Sequence, residues 1–320
     1  MENYSIEEKK IDKFQDYEKK LLNVIPQLNN ARTVVTLDAR TLKESDFRKN
    51  WLHKNKACLI KNAVEHWPAV HQWKDKEYWL SASSDFKVKT NFHSNYNQET
   101  NIEGKSEITS FHDAIERLHE KKDAIFSIPG ECIEEGTSLA KVNAEIGNFK
   151  FLSKVKRPRS YFHKRIFIYR NAATAWHYHN VDETLMCQVN GAKKVALLTP
   201  EIPRPKYVSN FLTQELQLEG DTLDDNIDLR PLIVEVEEGD ALYIPPYWYH
   251  AVVPSDNEIG YTLAFCWRSP WHKLGDFSNF FVRELYKKAI WPVNTLTFVF
   301  PFLGAFAFMN FLYQKLTRTI

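Results

Sequence analysis

Cysteine is scarce and unpatterned in this chain. Cys58, Cys132, Cys187 and Cys266 are the only four among 320 residues. They form no CxxC pair, so neither a zinc knuckle nor a disulfide framework is indicated, and a reducing compartment is expected. Net charge is almost absent too. With 42 Lys+Arg against 41 Asp+Glu, the chain lacks the global field of a dedicated nucleic-acid binder, so no nucleic acid is expected as partner; a local basic patch stays open. There is no internal repeat and no low-complexity run. The stretch MENYSIEEKKIDKFQDYEKK has no apolar h-region of a secretory signal, which points to a cytoplasmic protein. What is present is core material, since 43% of the residues are hydrophobic and 14% aromatic, and the fold is expected to be globular.

The chain reads as three parts: an N-terminal helical extension over 1–44, a central domain over 45–270, and C-terminal helices with a hydrophobic tail over 271–320. In 4–22, apolar residues recur at helical spacing among dense charge. Ala57 to Ile60 reads as a buried strand, Trp67-Pro68 as a helical turn, and Tyr78 to Leu80 as helix. Phe86 to Thr90 alternates as a strand, and Ser110 caps a further helix. From about Arg165 the texture changes to short strands separated by turns: RIFIYR, TLMCQV, KKVALLTP, LIVEVEEGD, ALYIPP and YTLAFCW. Such runs predict an antiparallel barrel or jelly roll. The fold class is therefore mainly β with flanking helices. Residues 208–230, acidic and without period, read as an insertion across one rim.

The segment WHYHNVDETLMCQVNG carries the chemistry. On a strand, residues i and i+2 share a face, so His177 and His179 project together as a metal clamp. Glu183 follows three residues later. A second segment, GDALYIPPYWYHAV, leads through Pro245-Pro246 to His250, which a facing strand could set against the pair. A lone barrel histidine is usually packing, but three imidazoles and a carboxylate suit Fe(II), Mn(II) or Zn(II). Tyr247, Trp248 and Tyr249 are candidates to line the substrate entrance.

These stretches, together with CLIKNAVEHWPAVHQW, resemble the cupin-like branch of the JmjC family over roughly 45–270. The resemblance implies a double-stranded β-helix core and Fe(II)- and 2-oxoglutarate-dependent oxygenase chemistry. Carried over, the family's His-x-Asp/Glu…His triad falls on His177, His179 and His250, with histidine standing at the carboxylate position. The broader cupin pattern H-x-H-x3-E-x7-G with G-x5-P-x4-H would add Glu183 as a fourth ligand. For 2-oxoglutarate the resemblance implies Lys193 and Thr174. It also sets Phe265 where an asparagine often stands near the metal.

The leading reading is an Fe(II)/2-oxoglutarate-dependent hydroxylase acting on a protein side chain or a small molecule. The alternatives are a cupin metalloenzyme that does not use 2-oxoglutarate, and a catalytically silent cupin-like scaffold anchored by its tail. That tail, 293–313, is apolar and long enough to span a bilayer, yet Pro301 and Gly304 interrupt it, so membrane association and a homodimer interface both remain as readings.

Overall fold

The computed structural model describes residues 26–82, 85–92, 105–121, 125–159, 161–179, 182–208 and 226–274, with scattered positions beyond. Five strands come from the first half: β1 (Val35–Asp38), β2 (Cys58–Lys61), β3 (Lys87–Phe92), β4 (Lys105–Ser110) and β5 (Phe126–Cys132). Eight follow: β6 (Lys164–Arg170), β7 (Thr174–His177), β8 (Asp182–Asn190), β9 (Lys193–Leu198), β10 (Leu232–Val236), β11 (Ala241–Ile244), β12 (Tyr249–Pro254) and β13 (Gly260–Arg268). They form two sheets, ordered β1-β2-β11-β8-β13-β6-β5-β3-β4 and β10-β9-β12-β7. The eight later strands make the jelly roll expected from the sequence, four in each sheet. The earlier strands extend both edges of the larger sheet. Of the expected helical extension over 1–44, residues 1–25 lie outside the described residues, and the described part holds strand β1, which pairs in parallel with β2.

Burial on both faces explains why the core strands read as continuous apolar runs. Alternation still sorts them. Leu185, Cys187 and Val189 of β8 face outward into a cluster with Trp67, Trp73, Trp79 and Phe111. Met186 faces inward, with Val195, Leu197, Leu242 and Val252, between the sheets. The outer cluster is where the Trp67-Pro68 turn and the Ser110-capped helix dock. Ser110 accepts a hydrogen bond from the Asp113 amide at 3.1 Å, which satisfies an otherwise orphaned helix donor.

One glycine shapes the interior. A Cβ on Gly260 would lie 1.8 Å from the Tyr169 ring, so only glycine lets that ring lie flat against β13. The Tyr169 hydroxyl then accepts from Gln188 Nε2 at 2.9 Å, and Gln188 Oε1 accepts from Thr262 at 2.8 Å.

The amphipathic segment 4–22 and most of the insertion lie outside the described residues. Val208, Ile227 and Leu229, at its flanks, are buried in a third cluster with Tyr247 and Tyr249. The tail 293–313 is also outside, apart from positions such as Phe302, Met309 and Tyr313, which are helical and exposed. No helix among the described residues is long and apolar enough to cross a membrane.

Candidate metal centre

His177 ends β7, and the antiparallel ladder sets it directly opposite His250 on β12. A register shift follows, so Thr174 pairs with Val252. That bulge lets Thr174 and His177, three residues apart, both face the interior. His179 lies two residues past the end of β7 rather than on the strand. Its position is held by the chain after Pro246: Tyr247, at φ 67°, donates its backbone N–H to the His179 carbonyl at 2.8 Å.

The three imidazoles converge. Ring centroids are 4.1 Å apart for His177 and His250, 4.8 Å for His179 and His250, and 5.3 Å for His177 and His179. One ring nitrogen from each lies within 4.8 Å of the others. Bonds near 2.1 Å to a single ion require separations of about 3–4 Å, so the rings must close by roughly an ångström to share one.

Hydrogen bonding sets the tautomers. Nδ1 of His177 bonds the Ala175 carbonyl at 2.8 Å, and Nδ1 of His250 bonds the Trp248 carbonyl at 3.0 Å. A carbonyl only accepts, so both Nδ1 atoms carry hydrogen and both Nε2 lone pairs are left for a cation. Nδ1 of His179 bonds the Thr184 hydroxyl at 2.9 Å. Burial lowers the pKa of all three, those of His179 and His250 furthest, helped by the neighbouring imidazoles. The rings are thus neutral at pH 7, which is the ligating form. This donor set fits Fe(II) or a similar divalent ion.

Glu183 does not join them. It faces the outer side of β8, opposite to Thr184, and is fully buried. Its carboxylate accepts from Tyr243 at 2.6 Å, Ser269 at 2.9 Å and Lys273 at 2.6 Å. The expectation of a fourth ligand is corrected: the cupin spacing is present, but strand alternation turns the side chain away. Glu183→Gln should leave metal content unchanged while destabilising the fold by about 3–5 kcal/mol, because Lys273 keeps a buried, unpaired charge. Chemical denaturation and metal analysis on one preparation check both halves. Thr184→Val, nearly isosteric, should weaken metal affinity by about 10–100-fold, as loss of an outer-shell partner does, measured by chelator competition.

Lys193 is 4% exposed and on the inner face, since it shares parity with Val195 and Leu197 of β9. Its Nζ sits 3.9 Å from the Tyr169 ring centroid. Burial lowers its pKa to about 7. Tyr247 and Tyr249 are each 2% exposed and packed in the third cluster, and Trp248 donates its indole N–H to the Asn55 carbonyl. They are wall and turn residues, not an open rim, which corrects the entrance reading. Phe265 faces the outer cluster. The inward residue there is Cys266, whose Sγ lies 3.7 Å from the Thr184 hydroxyl.

Sequence reasoning missed Thr184, and also Tyr161 and Arg165. The Tyr161 ring stands edge-on to His179 at 5.4 Å, and the Arg165 guanidinium lies 5.0 Å from the Tyr161 centroid. Arg165 contributes to the lowered pKa of His177 and His179.

A family model, that of the cupin-like domain, matches residues 44–272. The chain belongs to the JmjC-like cupin family. Among its relatives in this family, Jumonji C domain-containing protein 5 of Drosophila melanogaster is 25% identical over 245 residues, covering 72% of this chain and 59% of that protein. Lysine-specific demethylase JMJ30 of Arabidopsis thaliana is 24% identical over 248 residues, 69% of this chain and 52% of the relative. Human tRNA wybutosine-synthesizing protein 5 is 30% identical over 94 residues, 27% of this chain and 28% of that protein. The chain thus spans 59% and 52% of the first two relatives.

Proposed function

We propose that this JmjC-like cupin is an Fe(II)- and 2-oxoglutarate-dependent oxygenase that hydroxylates a protein side chain or a small molecule. The observation that carries the reading is the withdrawal of Glu183 into its ion pair with Lys273. A set of three histidines leaves three of six positions open, enough for a bidentate 2-oxo acid and dioxygen; a fourth protein ligand would leave only two. His177, His179 and His250 would hold the iron, which supplies dioxygen activation with electrons from oxidative decarboxylation of 2-oxoglutarate to succinate and carbon dioxide.

The chain's own residues do the rest. The carbonyls of Ala175 and Trp248 fix the ring orientations of His177 and His250, and the Thr184 hydroxyl fixes that of His179. Lys193 and Thr174, both on the inner face, would bind the distal carboxylate by a charge-assisted hydrogen bond and a hydroxyl. Arg165 makes the surroundings of the imidazoles cationic, which supports a neutral or acidic substrate over the lysine in the name of the Arabidopsis relatives. The test is anaerobic loading with Fe(II), then air and 2-oxoglutarate, with succinate measured. Iron-dependent succinate release supports the reading. Bound metal without 2-oxoglutarate turnover points to the cupin metalloenzyme, and absence of metal uptake to the silent scaffold.

A further inference from the structure

A second concentration of charge lies away from the imidazoles. A cavity of about 250 Å³ is lined by Arg48, Lys154, Lys156 and Arg268, with apolar walls from the half-buried Val155 and Pro270. Three separate segments build it, and carbonyls hold its arginines in place. Arg48 Nη2 donates to the Lys154 carbonyl at 3.3 Å, and Arg268 Nε to the Arg157 carbonyl at 3.1 Å. Glu44 neutralises Arg48 at 2.6 Å. Lys154, Lys156 and Arg268 pair with no carboxylate among the described residues. Three uncompensated cations therefore face one small cavity, although the whole chain is close to neutral. The crowding reaches further, since Arg268 also helps lower the pKa of Arg159.

We propose that this cavity is a binding site for a small phosphorylated molecule, distinct from the metal centre. Charge favours a phosphate dianion over a single carboxylate, because three cations exceed what one carboxylate neutralises and three oxygens can each take a donor. The apolar walls lower the local dielectric on one side, which strengthens the attraction. Volume adds a second criterion. At about 250 Å³ the cavity exceeds the roughly 150 Å³ of one known to admit benzene, more than a phosphate fills. The remainder, beside Val155 and Pro270, suits an organic body. The site needs no oxygenase chemistry, so it stands whether or not the metal reading holds.

The test is calorimetric titration of the full chain, treated with EDTA so that bound metal contributes nothing. The probes are inorganic phosphate, phenyl phosphate and, as a carboxylate control, benzoate. Phenyl phosphate should bind, more tightly than inorganic phosphate and at least about tenfold more tightly than benzoate, since the dianion brings about twice the charge and three acceptor oxygens against two. Lys154→Ala/Lys156→Ala and, separately, Arg268→Gln should each weaken it by about tenfold or more. The two lysines are exposed, so their removal leaves the fold intact, checked by an unchanged melting temperature. Inorganic phosphate binding as tightly as the phenyl ester would overturn the organic-ligand assignment. No binding at about 10 mM phenyl phosphate, a constant unaffected by either variant, or equal affinity for benzoate would overturn the site.

Discussion

The affinity for 2-oxoglutarate should fall about tenfold per pH unit above pH 7 and stay level below it. The cause is Lys193. Burial holds its pKa at about 7, whereas binding a carboxylate requires the ammonium form. Above that pKa each pH unit reduces the competent fraction tenfold, and the apparent dissociation constant rises in proportion. Stability has the same origin and a fixed sign. A lysine whose folded pKa is depressed destabilises the fold most fully below pH 7, and the penalty fades as pH rises from 7 toward the unfolded value. Lys193→Met should therefore melt at a higher temperature at pH 6–7, by the equivalent of a few kcal/mol, while losing 2-oxoglutarate binding. Lys193→Arg stays charged and should give a pH-independent, weaker constant. Titration calorimetry at four pH values separates these outcomes. A level wild-type profile between pH 7 and 9 would remove Lys193 from the cosubstrate site.

Which parts of this arrangement could be read from the sequence follows from how far strand alternation extends. His177 and His250 were legible because each lies at the end of a strand recognisable by its own pattern, and a jelly roll brings such ends together. Lys193 was legible as one of two lysines that must point to opposite faces; the partner Lys194 is only partly buried. Glu183 misled because β8 begins at Asp182 and resets the alternation after the turn, so counting residues from His179 could not give its face. Phe265 misled by one residue of register, a shift that inverts faces.

Contacts between distant segments were not legible. Tyr161 meets His179 across the turn preceding β6, and Lys273 reaches Glu183 from beyond β13. Neither pairing leaves a periodic trace. The aromatic run Tyr247-Trp248-Tyr249 looked like a rim because it follows a Pro-Pro turn. Its positive φ at Tyr247 and the hydrogen bond to the His179 carbonyl reveal a clamp on the metal loop instead. The strands of the first half pair onto both edges of the larger sheet, a long-range register that no local pattern encodes.

The largest single effect is expected at the imidazoles themselves. His177→Ala and His250→Ala should each reduce bound iron from near one per chain to background, because two neutral imidazoles remaining at the barrel end cannot hold Fe(II) against solvent and chelator. Each truncation leaves the backbone ladder between β7 and β12 in place, so the metal-free melting temperature should change little. His179→Asp is the more informative substitution. It installs a carboxylate at the position where the family resemblance implies one, adding a negative charge to a cation site surrounded by Arg165 and three neutral rings in the parent. Iron should be retained and held more tightly, whereas His179→Ala should lose it. The carboxylate also cancels part of the positive field, so the melting temperature of the metal-free variant should become pH-dependent near the acid end. Plasma mass spectrometry for stoichiometry, with chelator competition for affinity, gives the ordering. Loss of iron from His179→Asp as well would show that a carboxylate cannot replace this imidazole, whereas retention of iron by His177→Ala, His250→Ala or His179→Ala would show that the three imidazoles do not form the metal centre.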